Sequence, residues 1–183
     1  MKHLVLGGAR SGKSRYAEQQ ANALFQQRTE REGNGVSLHY VATATANDEE
    51  MQQRIVHHQR ARHAQWQLSE SPEKLAETLL CIAEENPSSI VVVDCLTLWL
   101  SNILHANTAT GEIDALLQVL PQCNSDIILV SNEVGSGIVP LGKLSRDFVD
   151  TAGRLHQALV PLCDAVTLVI AGLPLPLKQQ DPA

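Results

Sequence analysis

The chain has 183 residues, 44% of them hydrophobic and 19% charged, with a formal net charge of -6 at pH 7. That length suits one domain spanning residues 1–183, with 173–183 as an extended tail, and the acidic balance argues against nucleic acid as a partner. No apolar run approaches the ~18–20 residues of a membrane span and no stretch reads as a secretory leader, so the cytoplasm is the expected compartment.

Residues 3–6 (HLVL) predict a short strand, followed by Gly7, Gly8, Ala9, Arg10, Ser11, Gly12, Lys13 and Ser14. This stretch reads G-x-x-x-x-G-K-[ST], the phosphate-binding P-loop. Its glycines let backbone N–H groups turn around a polyphosphate, Lys13 brings a point charge to the β- and γ-phosphates, and the Ser14 hydroxyl can ligate Mg²⁺. A helix over 14–27 follows, its positive end facing the anion. Residues 28–35 (RTEREGNG) predict a solvated surface loop, and 36–43 resume as a strand.

A second helix is predicted from Asp48 to Arg62. At 100° per residue Met51, Ile55, His58 and Arg62 share a narrow arc, whereas His57 points with Glu50 and Arg54. From this helix alone, His58 reads as a partly buried side chain on the inward stripe. Residues 69–73 look like a helix start, with Leu75, Ala76, Leu79, Leu80 and Ala83 as its core face.

The run SIVVVD at 89–94 has the pattern of a strand buried on both faces of a parallel sheet, and Asp94 at its carboxyl end is a candidate Mg²⁺ ligand alongside Ser14. Helices over 96–105 and 113–120 flank a flexible turn at 107–111, and a strand at 125–130 opens into the polar, glycine-bearing run SNEVGSGIVP at 131–140. A long helix over 144–162 and a strand over 165–172 close the sheet, with the proline-bearing 173–183 as an extended or frayed end. Cys81, Cys95, Cys123 and Cys163 lack C-x-x-C spacing and are expected as buried free thiols.

Strands alternating with helices imply an α/β domain, a three-layer P-loop fold with a mostly parallel central sheet. In such sheets ligands sit beyond the carboxyl ends of the strands, so 7–14, 43–47, Asp94 and 131–137 should converge on one edge.

Taken together, GGARSGKS at 7–14, YVATATANDEEMQQRIVHHQRAR at 40–62, VVVDC at 91–95, SNEVGSGIVP at 131–140 and RDFVDTAGRLHQ at 146–157 closely resemble the bifunctional adenosylcobinamide kinase/adenosylcobinamide-phosphate guanylyltransferase family of cobalamin biosynthesis. The resemblance implies phosphorylation of the aminopropanol hydroxyl of adenosylcobinamide, then transfer of GMP from GTP through a covalent histidine–GMP to give adenosylcobinamide-GDP. It assigns the nucleophile to His58, in agreement with the helical phase. Nucleotide contacts are carried to residues 7–14, to Ala42, Thr43 and Ala44, to Gln59, Arg60, Ala61 and Arg62, and to Glu70 and Asp94. Mg²⁺ as cofactor, GTP and ATP as substrates, and a homotrimer are further implications. No N-K-x-D guanine motif is present, so Glu70 is the residue to which guanine preference is carried by the resemblance. Asp94 stands where many members carry a glutamate, one methylene longer.

Two other readings compete: a P-loop kinase of another small hydroxylated metabolite, with His58 structural, and a nucleotide-dependent switch. A switch needs an apolar surface for its partner, and no segment of the sequence offers one.

Overall fold

The computed structural model describes residues 1–33, 35–44, 65–138 and 140–179. Its strands are β1 (Lys2–Gly7), β2 (Ser37–Ala42), β3 (Trp66–Glu70), β4 (Ser89–Asp94), β5 (Asp126–Asn132), β6 (Ala165–Ile170) and β7 (Leu173–Lys178). Its helices are α1 (Lys13–Glu32), α2 (Leu75–Glu85), α3 (Leu96–His105), α4 (Ala109–Val119) and α5 (Lys143–Leu159). The strands form one sheet in the order β3-β2-β4-β5-β1-β6-β7, parallel except for β7, which runs antiparallel to β6. The α/β P-loop architecture expected from the alternation is therefore present.

Side-chain alternation along the central strands builds the three layers. Leu4, Leu6, Val91, Val93, Ile127 and Leu129 face Trp99, Leu100, Leu79, Leu116 and Leu155 of helices α2 to α5. Val5, Ile90, Val92, Ile128 and Val130 face Ala17 and Ala21 of α1 on the opposite side. Because both faces are covered, β4 reads as an unbroken apolar run rather than an alternating one.

Trp99 is wholly buried, and its indole Nε1 donates to the Glu73 carbonyl at 2.7 Å, tying α3 to the segment that leads into α2. Trp99→Ala should lower unfolding free energy by about 3–5 kcal/mol in urea titrations. Trp99→Phe should cost less, because much of the buried ring is kept and the Glu73 carbonyl, which also accepts from Leu75 N at 3.0 Å, keeps one partner when the indole N–H is lost.

Several local expectations are corrected. Residues 28–32 continue α1 instead of forming a loop, and Gly33 ends the helix at φ 76 with its N–H on the Thr29 carbonyl. The charged run contains good helix formers, and Arg28 is drawn back to the sheet by buried Asp126, 2.9 Å away, whose carboxylate also takes the chain's amino terminus. Residues 66–70, the last two of which fall in the helix start expected at 69–73, pair with β2 as an edge strand in the register Leu38↔Trp66. Helix α2 consequently starts at Leu75, and its inward face includes Ile82 whereas Leu80 is only half-buried. The expected turn at 107–111 gives way to helix from Ala109.

The 173–183 tail is corrected in the same way, since 173–178 add β7 to the sheet. Pro174 and Pro176 fall at same-parity positions of this outermost strand, where missing N–H donors blunt further strand addition. The expected absence of exposed apolar surface also fails: Ile170, Leu173, Leu175 and Leu177 are more than half exposed, and Ile138 and Leu141 almost fully so.

Candidate nucleotide site at the carboxyl edge

The first strand delivers the P-loop directly into α1. Gly7 is required at the turn, because a Cβ there would lie 2.5 Å from Ser11 Oγ and 2.6 Å from the Val169 carbonyl oxygen. Arg10 (φ 54) and Gly12 (φ 93) take left-handed conformations that wrap the loop, and the Gly12 carbonyl accepts the helical hydrogen bond from Tyr16 N. Lys13 is almost buried, with Nζ donating to the Gly8 carbonyl at 3.2 Å. Gly8, Ala9 and Arg10 are exposed on the loop's open side, and Ser14 is half-buried on the first turn of α1. The turn between β6 and β7 supports the loop from outside: Gly172 N donates to the Ser11 carbonyl at 2.8 Å. Sequence reasoning missed this brace, whose only local signal is Gly172 after the apolar β6 run.

Among the described residues, three buried side-chain polar atoms have no partner, and two of them, Ser11 Oγ and Asn132 Oδ1, border this loop. Asn132 is the register partner of Gly7. Buried polar atoms are ordinarily satisfied, and both of these exceptions neighbour Gly7.

Asp94 is half-buried at the end of β4, level with Ala42 and, one strand farther out, Glu70. Its Oδ2 accepts from the Tyr40 hydroxyl at 2.8 Å. Tyr40 was not among the candidates, although it lies two residues before Ala42 and hence on the same face of the sheet. Thr43 is wholly buried; its hydroxyl donates to the Cys95 carbonyl at 2.7 Å and accepts from Cys95 N at 2.8 Å, so this side chain locks two strand exits together. Ala42 is buried and Ala44 half-buried beside it.

Glu70 is exposed and ends the edge strand, with β2, β4 and β5 between it and β1. Four strand spacings put its strand ~19 Å from the P-loop strand. It lines a cleft of about 440 Å³ together with His39, Thr78, Glu77 and Glu85. The structure therefore brings Asp94 and the 131–133 segment toward the P-loop, and leaves Glu70 at the far end of the same edge.

The exit from β5 runs against the P-loop, with Glu133 N donating to the Gly7 carbonyl at 3.0 Å. Burial alone would raise the Glu133 carboxyl, but hydrogen bonds from the Ser136 side chain and from the amides of Gly135 and Ser136, with His156 nearby, hold it below the usual carboxylate range. His156 on α5 is itself lowered by burial and bonds Ser131 Oγ through Nε2 at 2.8 Å. The Cys95 thiol, next to Asp94, is pushed up to about 11 by burial and by the Asp94 charge, which leaves it a protonated packing group. Cys123 and Cys163 are likewise buried, but Cys81 is exposed, against expectation. His58, Gln59, Arg60, Ala61 and Arg62, with the helix predicted to carry them, lie outside the described residues.

Over residues 3–177 the chain matches the family model described as cobinamide kinase / cobinamide phosphate guanyltransferase. It is 49% identical over 181 residues to the bifunctional adenosylcobalamin biosynthesis protein CobP of Pseudomonas aeruginosa, covering 97% of this chain and 98% of that protein. It is 36% identical over 194 residues to the bifunctional adenosylcobalamin biosynthesis protein CobU of Escherichia coli, covering 97% and 100%. Among solved structures, a KaiC-like protein, PH0186, from Pyrococcus horikoshii superposes with a TM-score of 0.48 at 12% identity, over 91% of this chain and 69% of that one.

Proposed function

The chain belongs to the cobinamide kinase / cobinamide phosphate guanyltransferase family, and we propose that it phosphorylates the aminopropanol hydroxyl of adenosylcobinamide and then transfers GMP from GTP to that phosphate, giving adenosylcobinamide-GDP. The observation that carries this reading is the family match across residues 3–177 on a chain whose P-loop and Asp94 lie at the same sheet edge, two strands apart.

In this reading residues 7–14 hold the triphosphate, with loop N–H groups around its oxygens and Lys13 on the β- and γ-phosphates. Ser14 and Asp94 supply hard oxygen donors of the kind Mg²⁺ takes, and Asp94 keeps Oδ1 for that purpose while Oδ2 is occupied by Tyr40. When bound, Mg²⁺ would neutralise phosphate charge during transfer. Ala42, Thr43 and Ala44 border the nucleotide, Arg60 or Arg62 steadies phosphate charge beside Gln59 and Ala61, and Glu70 accepts from the guanine N–H groups. The distance of Glu70 from β1 supports a contact at the end of the ligand remote from the γ-phosphate.

His58 is the proposed nucleophile. Its neutral imidazole attacks the α-phosphorus of GTP, pyrophosphate leaves, and the resulting phosphoramidate passes GMP to the cobinamide phosphate. The test is incubation with Mg²⁺ and GTP labelled in the α-phosphate, followed by denaturation and intact-mass detection. An adduct of one GMP per chain, acid-labile and alkali-stable, is expected; tight GTP binding without an adduct would leave only the kinase reading.

A homotrimer is also proposed. Support comes from the exposed apolar side chains of Ile170, Leu173, Leu175 and Leu177 at the outer edge, a surface that a second copy would cover. Sedimentation equilibrium should return three times the monomer mass, and a monomer at micromolar concentration would remove this assignment.

A further inference from the structure

The phosphorylation step has a chemical need that the residues discussed so far leave unmet. An aliphatic hydroxyl is protonated at neutral pH, so the attacking oxygen needs an acceptor that orients it and takes its proton. The second step has no such need, because a phosphate monoester, with its second pKa near 6, is already an anion.

From the geometry of the β5 exit we infer that Glu133 is the acidic residue that orients and deprotonates the acceptor hydroxyl in the kinase step. This rests on the function proposed above. Strand order selects it. Among the described residues, of the carboxylates that end strands or directly follow them at the carboxyl edge, Glu70 is four strands from β1 and Asp94 two, whereas Glu133 follows the strand hydrogen-bonded to β1. Its own N–H is on the carbonyl of Gly7, the first residue of the phosphate loop.

The carboxylate is also held in place. Oε1 accepts from Gly135 N at 2.8 Å and Oε2 from Ser136 N at 3.1 Å, and a Cβ at position 135 would approach Oε1 to 3.1 Å. A carboxylate offers about four acceptor positions, so these contacts orient the group without exhausting it. Beneath it, Ser131 Oγ is within 2.8 Å of His156 Nε2, and Thr97 Oγ1 accepts from Asn132 N at 2.7 Å, fixing the strand exit to α5 and α3. The neighbouring Asn132 Oδ1 is buried without a partner, a second polar group at this spot that a donor from a ligand would satisfy.

In the step so assigned, the hydroxyl oxygen bonds to the γ-phosphorus, and the bond from that phosphorus to the β–γ bridging oxygen breaks. Its electron pair leaves with the nucleoside diphosphate, and the hydroxyl proton passes to Glu133. A loose phosphoryl-transfer transition state asks more for position than for strong basicity, so a carboxylate well ionised at neutral pH is suited to the task.

The experiment measures three reactions of Glu133→Gln and Glu133→Asp beside the wild type, with thermal melting as a control. They are phosphate transfer from γ-labelled nucleotide to cobinamide, formation of the GMP adduct, and GMP transfer to pre-formed cobinamide phosphate. Glu133→Gln should lose ~10²–10⁴-fold in kcat of the first with little change in nucleotide KM. The other two should stay within a few fold, and Glu133→Asp should regain part of the first. If Glu133→Gln loses all three reactions together, with a lowered melting temperature in both variants, the residue merely holds its loop and the inference falls. A Glu133→Gln protein with wild-type kinase turnover also overturns it. A wild type inactive in both kinase and adduct assays removes the underlying function instead.

Discussion

Replacing His58 with alanine should yield a protein that binds GTP and carries no GMP adduct, while phosphate transfer to cobinamide continues within a few fold of wild type. The two chemistries separate because they strike different phosphorus atoms. A hydroxyl displacing at the γ-phosphorus needs no enzyme nucleophile, whereas GMP transfer by two displacements does, and alanine has no lone pair to offer. His57→Ala run in parallel should keep the adduct, because residue 57 lies off the stripe that Met51, Ile55, His58 and Arg62 share. The opposite outcome, an adduct surviving in His58→Ala and lost in His57→Ala, would reverse the helical phase argued from the sequence. Together with Glu133→Gln the variant gives a double dissociation, one side chain for each half of the reaction.

Lys13→Ala should depress both halves by roughly 10³-fold while leaving the far-ultraviolet circular dichroism unchanged. A unit charge about 4 Å from a phosphate oxygen, at an effective dielectric near 20, contributes about 4 kcal/mol, and 1.4 kcal/mol is a factor of ten. Lys13 is only 9% exposed and hydrogen-bonds the neutral Gly8 carbonyl, so its charge faces the loop with little screening. The β- and γ-phosphates matter in both reactions: they leave as pyrophosphate when the α-phosphorus is attacked, and they are the bridge that breaks in the kinase step. Lys13→Arg should recover little, since a broad planar guanidinium does not replace a compact ammonium inside a closed loop. Single-turnover rates with each labelled nucleotide measure the effect, and a loss below tenfold in either half would show that Lys13 does not act on the phosphates there.

The candidate site was legible where its chemistry is written in contiguous residues. The P-loop declares itself in eight consecutive positions, and Asp94 because a carboxylate closes the apolar run of a doubly buried strand. The supports were not. Tyr40 reaches Asp94 across 54 positions of sequence, and Gly172 braces Ser11 across 161, so neither leaves a local pattern. Glu133 sits inside a polar, glycine-bearing run, yet its closeness to Gly7 follows only from β5 lying between β4 and β1.

Local chemistry in the chain alone determined the alternation of strands and helices, the doubly buried β4, the phosphate loop and the helix behind it, because backbone preference, side-chain period and glycine conformation act within a few residues. Tertiary structure alone decided the edges and the ends. β3 and β7 are largely exposed and β7 carries two prolines, so they became strands only when β2 and β6 offered unpaired backbone groups. Likewise the last turn of α1 was drawn out of a predicted loop by the buried charge of Asp126, a carboxylate nearly a hundred residues away that had to find cations once β5 was enclosed.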